Sequence, residues 1–279
     1  MVQFLRDKAN GLPLAMPSIG YGTWMRRGYS GRQCIEWALE LGYRHIDTAQ
    51  GYENEAMCGV AIENSKIARS EIYVTTKIKP QNLGPGLLID TLQESLARLR
   101  TDYVDMTLIH WPSPHNEFPL ESYIEDLAQA KRDGLTRNIG LSNFTIAMIN
   151  QVEKILGAGQ INTVQVEMHV YHKNQKIVDL CRSKNIKLTA FSPLALGRVA
   201  DDSILKQIGA AYDATASQIA LAYLLQSDFT IIPTSSKKPR MIENLNSLKI
   251  QLTPTEMERI STLNKDLRLL NPAHAPLWD

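Results

Sequence analysis

Residues 72–111 read IYVTTKIKPQNLGPGLLIDTLQESLARLRTDYVDMTLIHW, and this stretch contains the repeating unit of the fold. Ile72–Ile78 is a short apolar run rich in β-branched residues, the pattern of a strand covered on both faces. Leu87–Leu99 then sets Leu88, Leu92, Leu96 and Leu99 at three- and four-residue steps, the stripe of an amphipathic helix. Tyr103–Trp111 returns to the strand pattern. Strand, helix and strand at this spacing imply parallel neighbours joined by a right-handed crossover.

The unit recurs on both sides. Strand-like runs precede it at Ser18–Thr23 and Arg44–Thr48 and follow it at Arg137–Asn143, Thr163–Glu167, Lys187–Ser192 and Thr230–Ser235, eight in all. Helical patterns lie between them at Gln33–Leu41, Asn54–Glu63, Leu120–Arg132, Ile146–Leu156, Gln175–Ser183 and Ser217–Gln226. Two more, Arg240–Leu248 and Glu256–Leu263, follow the last strand. Eight units predict an α/β protein of one domain over residues 1–279, a closed (β/α)8 TIM barrel. Residues 2–15 are expected to form a short N-terminal hairpin beneath the barrel, and the chain carries an extra C-terminal helix. A doubly wound open sheet would need a G-x-G-x-x-G turn after its first strand, and none is present.

Composition narrows the partners. Lys+Arg number 30 and Asp+Glu 29, a net charge of +1, which gives no basic face for nucleic acid. No stretch approaches the roughly 20 apolar residues of a membrane helix. The opening MVQFLRDKANG is charged where a signal peptide is apolar. Cys34, Cys58 and Cys181 make no C-x-x-C pair and read as small buried hydrophobes. These features predict a reduced, cytoplasmic protein with a small-molecule partner.

In a barrel, chemistry collects at the C-terminal ends of the strands. Those ends carry Asp47, Lys77 and His110 from three consecutive strands, with Tyr52 in the loop after the second. A Lys inside IYVTTKI is costly unless paired, and Asp47 on the neighbouring strand is its partner. Two readings of that pair stand, a buried structural ion pair and part of a site. Tyr52 and His110 at the same mouth favour the site. A nearby ammonium would lower the pKa of a phenol from its ordinary value near 10. The phenol could then protonate a carbonyl oxygen while the His110 imidazole donates to the same oxygen.

Five motifs in order, HIDTAQGYENE (45–55), TTKI (75–78), LIHWP (108–112), GLSNF (140–144) and IPTSSKKPRMIEN (232–244), resemble the aldo-keto reductase family. They span essentially the whole chain. The resemblance implies a metal-free barrel, monomeric by default, that reduces aldehydes and ketones with a nicotinamide cofactor. It implies Tyr52 as proton donor, Lys77 and Asp47 as its tuning pair, and His110 as the group orienting the carbonyl. It implies Ser142, Asn143 and Gln165 at the carboxamide, with Thr23 at the end of strand one counted among the cofactor contacts. Phe191 stands where the family commonly stacks a Tyr on the nicotinamide. Ser192, Leu194 and Gly197 match the pyrophosphate loop. At the adenine end the family's I-P-K-S becomes Ile232-Pro233-Thr234-Ser235, while Ser236, Arg240, Glu243 and Asn244 remain. Arg240 could clamp a 2′-phosphate, so NADPH (NADP+) is favoured over NADH.

LRTDYVD, TLIHWPSP, GLTRNIGLSNFT and the ending APLWD are similar to the bacterial 2,5-diketo-D-gluconate reductase B branch, which also reduces methylglyoxal. The expected substrates are therefore small carbonyls in an open pocket, with Trp24, His110 and Trp111 around them. Another class of function is a non-catalytic, NADP(H)-binding redox-sensing barrel, although all four catalytic positions are filled. Tyr73-x-x-x-Lys77 imitates a short-chain dehydrogenase motif but falls in a strand. His169-x-x-His172 and His45-x-Asp47 are too sparse for a metal centre.

Overall fold

Short apolar runs separated by amphipathic stripes bury themselves most completely when the strands close on each other and the helices cover them. The computed structural model describes residues 14–279. Among these, eight strands form: β1 (Tyr21–Gly22), β2 (His45–Asp47), β3 (Tyr73–Ile78), β4 (Val104–Ile109), β5 (Thr136–Ser142), β6 (Thr163–Glu167), β7 (Lys187–Phe191) and β8 (Phe229–Ile232). Each pairs in parallel with the next in chain order. The ring closes between β8 and β1 through the Ile19–Ile231 bridge. There the Gly20 and Gly22 amides donate to the Ile231 and Pro233 carbonyls at 2.9 and 3.0 Å. The fold is the expected (β/α)8 TIM barrel in a single domain.

Ten helices surround the described strands. They are α1 (Gly28–Leu41), α2 (Glu55–Asn64), α3 (Leu87–Leu99), α4 (Leu120–Arg132), α5 (Ile146–Leu156), α6 (Gln175–Ser183), α7 (Ser203–Ala210), α8 (Ala216–Gln226), α9 (Lys238–Asn246) and α10 (Pro254–Ser261). The leucine stripe of α3 is buried as its spacing predicts, in one cluster with Ile46 of β2 and Val74 of β3. Alternation along a strand sends every second residue into the barrel. Near its N-terminal end Tyr73, Met106 and Leu108 fill the interior, packed with Leu14 and Met16. Further along β3, with the same parity as Tyr73, stands Lys77.

Two features depart from the sequence reading. Strand β8 stops at Ile232 rather than Ser235, because Pro233 has no N–H with which to extend the ladder. Thr234–Ser236 instead turn the chain into α9. Helix α7 was not anticipated. Its N-cap is Asp202, whose Oδ1 accepts the amides of Ile204 and Leu205 at 3.0 and 3.1 Å. The expected N-terminal hairpin falls almost wholly on residues outside the described ones. The extra C-terminal helix forms as α10, opened by a Thr253–Glu256 capping box. No described helix is long and apolar enough to cross a membrane.

Candidate active site

Asp47 ends β2, and Lys77 lies two residues beyond Thr75, the partner of Asp47 across the β2–β3 ladder. That stagger lets the Lys77 side chain reach across to the Asp47 carboxylate, Nζ against Oδ1. Both groups are buried. Lys77 Nζ also donates to the Thr48 carbonyl at 3.0 Å and to the Tyr52 hydroxyl at 3.3 Å. The second Asp47 oxygen accepts from Gln165 Nε2 at 2.8 Å. Every polar atom of the pair is therefore met, as a buried ion pair requires.

Tyr52 sits on the 3-10 turn Gln50–Tyr52. Gln50 fastens that turn: its Nε2 donates to the Thr91 carbonyl and Ser95 Oγ, both at 3.1 Å. Its Oε1 accepts the Lys79 amide at 3.1 Å and Asn82 Nδ2 at 2.9 Å. Asn54 ties the turn to the loop after β1, donating to the Thr23 and Arg26 carbonyls at 2.8 and 3.1 Å. His110 follows β4 directly, and its ring meets that of Tyr52 edge-on with centroids 5.5 Å apart.

The electrostatics differ from the simplest expectation. Burial pushes the Tyr52 phenol up; Lys77 pulls it down, and Asp47 adds to the rise. The net direction is upward, not downward as the ammonium alone would give, because desolvation of a phenolate outweighs one adjacent charge already shared with Asp47. Burial opposes the Lys77 ammonium, but Asp47 and Tyr52 more than restore it, and its pKa rises. Burial, then Lys77 and His274, hold His110 well below the ordinary imidazole value. At neutral pH the cluster is a protonated phenol, an ammonium and a neutral imidazole.

These groups open on one cavity of about 1110 Å³ at the C-terminal end of the barrel. Tyr52, His110 and Asp47 line its floor, with Trp24 and Trp111 beside them. Ser142, Asn143, Gln165 and Phe191 line the next stretch. Asn143 Nδ2 is held by the His110 carbonyl and by Ser142 Oγ, each at 3.0 Å. With its Nε2 on Asp47, Gln165 retains its amide oxygen as an acceptor for a carboxamide. Ser192, Leu194 and Gly197 continue the wall. Ser192, Ala195, Leu196 and Gly197 adopt positive φ there. Thr234, Ser235, Ser236, Arg240, Glu243 and Asn244 complete the lining. Arg240 has no carboxylate partner among the described residues, so a cation faces the cavity uncompensated. A cavity lined by an aromatic face, amide side chains and an unpaired guanidinium can hold a dinucleotide.

Two expected site residues do not line the cavity. Lys77 stands behind Tyr52. Thr23 is buried in the barrel wall, its hydroxyl donating to the Asp47 carbonyl at 3.0 Å. Lys238, two residues before Arg240, is paired with Glu40 of α1 at 2.8 Å. Among the described residues no group of three or more His, Cys, Asp or Glu is placed to hold a metal.

The pattern of the Aldo/keto reductase family matches residues 18–265. The chain belongs to the aldo-keto reductase family. It is 42% identical over 267 residues to methylglyoxal reductase DkgB of Escherichia coli O157:H7, covering 95% of this chain and all of that protein. The glyoxal reductase of Bacillus subtilis (strain 168) is 34% identical over 257 residues, 91% of each chain. A crystal structure with the provisional name 2,5-diketo-D-gluconic acid reductase B superposes with a TM-score of 0.91 at 35% identity, over 95% of this chain and 94% of that one.

This aldo-keto reductase also brings to its site residues that sequence reading passed over. Arg26, in the loop after β1, lines the cavity; only its place after a strand end signalled it. Leu269–Pro272, far beyond the last strand, form another part of the wall. Nothing local in that stretch announces this. Gln50 and Asn54 lie within the HIDTAQGYENE motif, so their closeness to Tyr52 was visible but their anchoring role was not.

Proposed function

We propose that this protein is an NADPH-dependent carbonyl reductase acting on small aldehydes and ketones, with methylglyoxal and 2,5-diketo-D-gluconate the first candidates. The observation that carries the reading is Tyr52, backed by Lys77, beside His110 on a cavity that Arg240 also lines. The names of the relatives support the substrate class.

Bound NADPH would supply a hydride to the carbonyl carbon. Phe191 would offer its face to the nicotinamide, with Ser142, Asn143 and Gln165 at the carboxamide. Ser192, Leu194 and Gly197 would line the pyrophosphate. Arg240, with Thr234, Ser235 and Ser236, would receive the 2′-phosphate as charge-assisted hydrogen bonds; Glu243 and Asn244 lie where the adenine would sit. His110 would orient the carbonyl oxygen between its imidazole and Tyr52. Lys77 donates to the Tyr52 oxygen, which leaves the phenolic proton to point into the cavity. Tyr52 would pass that proton to the substrate oxygen as negative charge develops. Lys77 would then stabilise the phenolate left behind, and Asp47 keeps Lys77 charged and aimed. Trp24 and Trp111 would wall the substrate end.

The test is NADPH oxidation with methylglyoxal and with 2,5-diketo-D-gluconate, run beside NADH and beside Tyr52→Phe. Tyr52-dependent oxidation is the expected result. NADPH binding without reduction of either carbonyl would sink the reductase reading and leave the redox-sensing barrel.

A further inference from the structure

Glu167 ends β6, paired in register with Phe191, and is fully buried. It does not line the cavity. A buried carboxylate is costly unless its oxygens are met. Here Oε1 accepts the Leu269 amide at 2.7 Å and lies 3.0 Å from His169 Nε2. Oε2 accepts the Leu270 amide at 2.8 Å. The carboxylate thus grips two consecutive backbone amides from a segment about a hundred residues away.

What it grips is a wall of the cavity, since Leu269 and Leu270 line it together with Asn271 and Pro272. Beyond these the tail folds on itself and leans on the barrel through one ring. Trp278 donates from Nε1 to Asn271 Oδ1 at 2.9 Å, and Arg268 stacks 3.6 Å over the Trp278 ring. Trp111, which lines the substrate end, meets Trp278 edge-on at 6.0 Å.

We infer that Glu167 is a positioning residue for the substrate. By clamping the Leu269 and Leu270 amides it fixes how far the tail wall stands from Trp111, and so how tightly a small carbonyl is held. It acts on substrate affinity and leaves proton transfer alone. The inference rests on the carbonyl-reductase reading. A small ligand has little surface of its own, so its retention depends on the walls being held in place before it arrives.

The test pairs Glu167→Gln, which keeps the shape but sets an amide N–H₂ in place of one acceptor, with Trp278→Ala, which removes the tail's ring contact with Trp111 and its hold on Asn271 and leaves β6 intact. Amide hydrogen exchange at Leu269 and Leu270 should accelerate in both. The KM for methylglyoxal should rise about tenfold, the scale of one lost charge-assisted hydrogen bond. The kcat, the alkaline limb of the pH profile and the affinity for NADPH read by tryptophan quenching should stay within about twofold. Accelerated exchange with an unchanged KM overturns the inference, as does a fall in kcat at constant KM. Unchanged exchange in both variants overturns the clamp itself. If the wild-type protein reduces no carbonyl while binding NADPH, the functional reading fails, and the inference with it.

Discussion

Lys77 Nζ lies 3.3 Å from the Tyr52 hydroxyl while its charge is held by Asp47, so one ammonium serves two oxygens of opposite need. It neutralises a carboxylate at all times and awaits a phenolate only during turnover. Because burial keeps Tyr52 protonated, the resting site stores the proton that reduction consumes.

Tyr52→Phe removes that proton and little else. Turnover with methylglyoxal should fall by about 10²–10⁴, the usual share of a general acid, while NADPH still quenches tryptophan fluorescence. Retained turnover would refute the assignment of Tyr52.

The pH dependence follows from the direction of the Tyr52 shift. Reduction requires the protonated phenol, and its pKa is raised, so kcat/KM for reduction should be flat through neutrality and fall only in the alkaline range above the ordinary phenol value. Lys77→Met removes the group that pulls the phenol down. In that variant kcat should drop and the alkaline limb should move to still higher pH. A limb in the same place would show that Lys77 does not act on Tyr52.

Arg240→Ala should weaken NADPH binding by about tenfold or more, the scale of a charge-assisted contact to phosphate, and leave NADH unchanged. Equal losses for both cofactors would mean that Arg240 does not face the 2′-phosphate.

Two histidines predict acid lability. His45, fully buried in the barrel beside Thr75, and His172 are both lowered to about 4, in each case chiefly by burial. An unfolded imidazole takes a proton near pH 6.5 and these do not, so the unfolded chain binds more protons as pH falls. Their contribution to stability is complete above pH 6.5 and is lost as the pH falls toward about 4. Urea midpoints should decline across that window, and His45→Asn should flatten the decline whatever it does to stability at neutral pH. A midpoint independent of pH over the window would remove the argument.

Much of this protein is local in origin. The short β-branched run in IYVTTKI and a three-to-four-residue leucine stripe in α3 depend only on neighbouring residues, so strands, helices and the barrel follow from the chain as written. The order of strand ends also places Asp47, Lys77 and His110 at one mouth, with Tyr52 in the loop just after the second strand. The tertiary structure alone decided the rest. The net rise of the Tyr52 pKa depends on desolvation, which no list of charged neighbours contains. The grip of Glu167 on Leu269 and Leu270 joins residues about a hundred positions apart through backbone amides, which carry no side-chain signature. Lys238 turned to Glu40 and Arg240 to the cavity because α9 and α1 pack side by side, and only that packing distinguishes two nearby cations of similar sequence context.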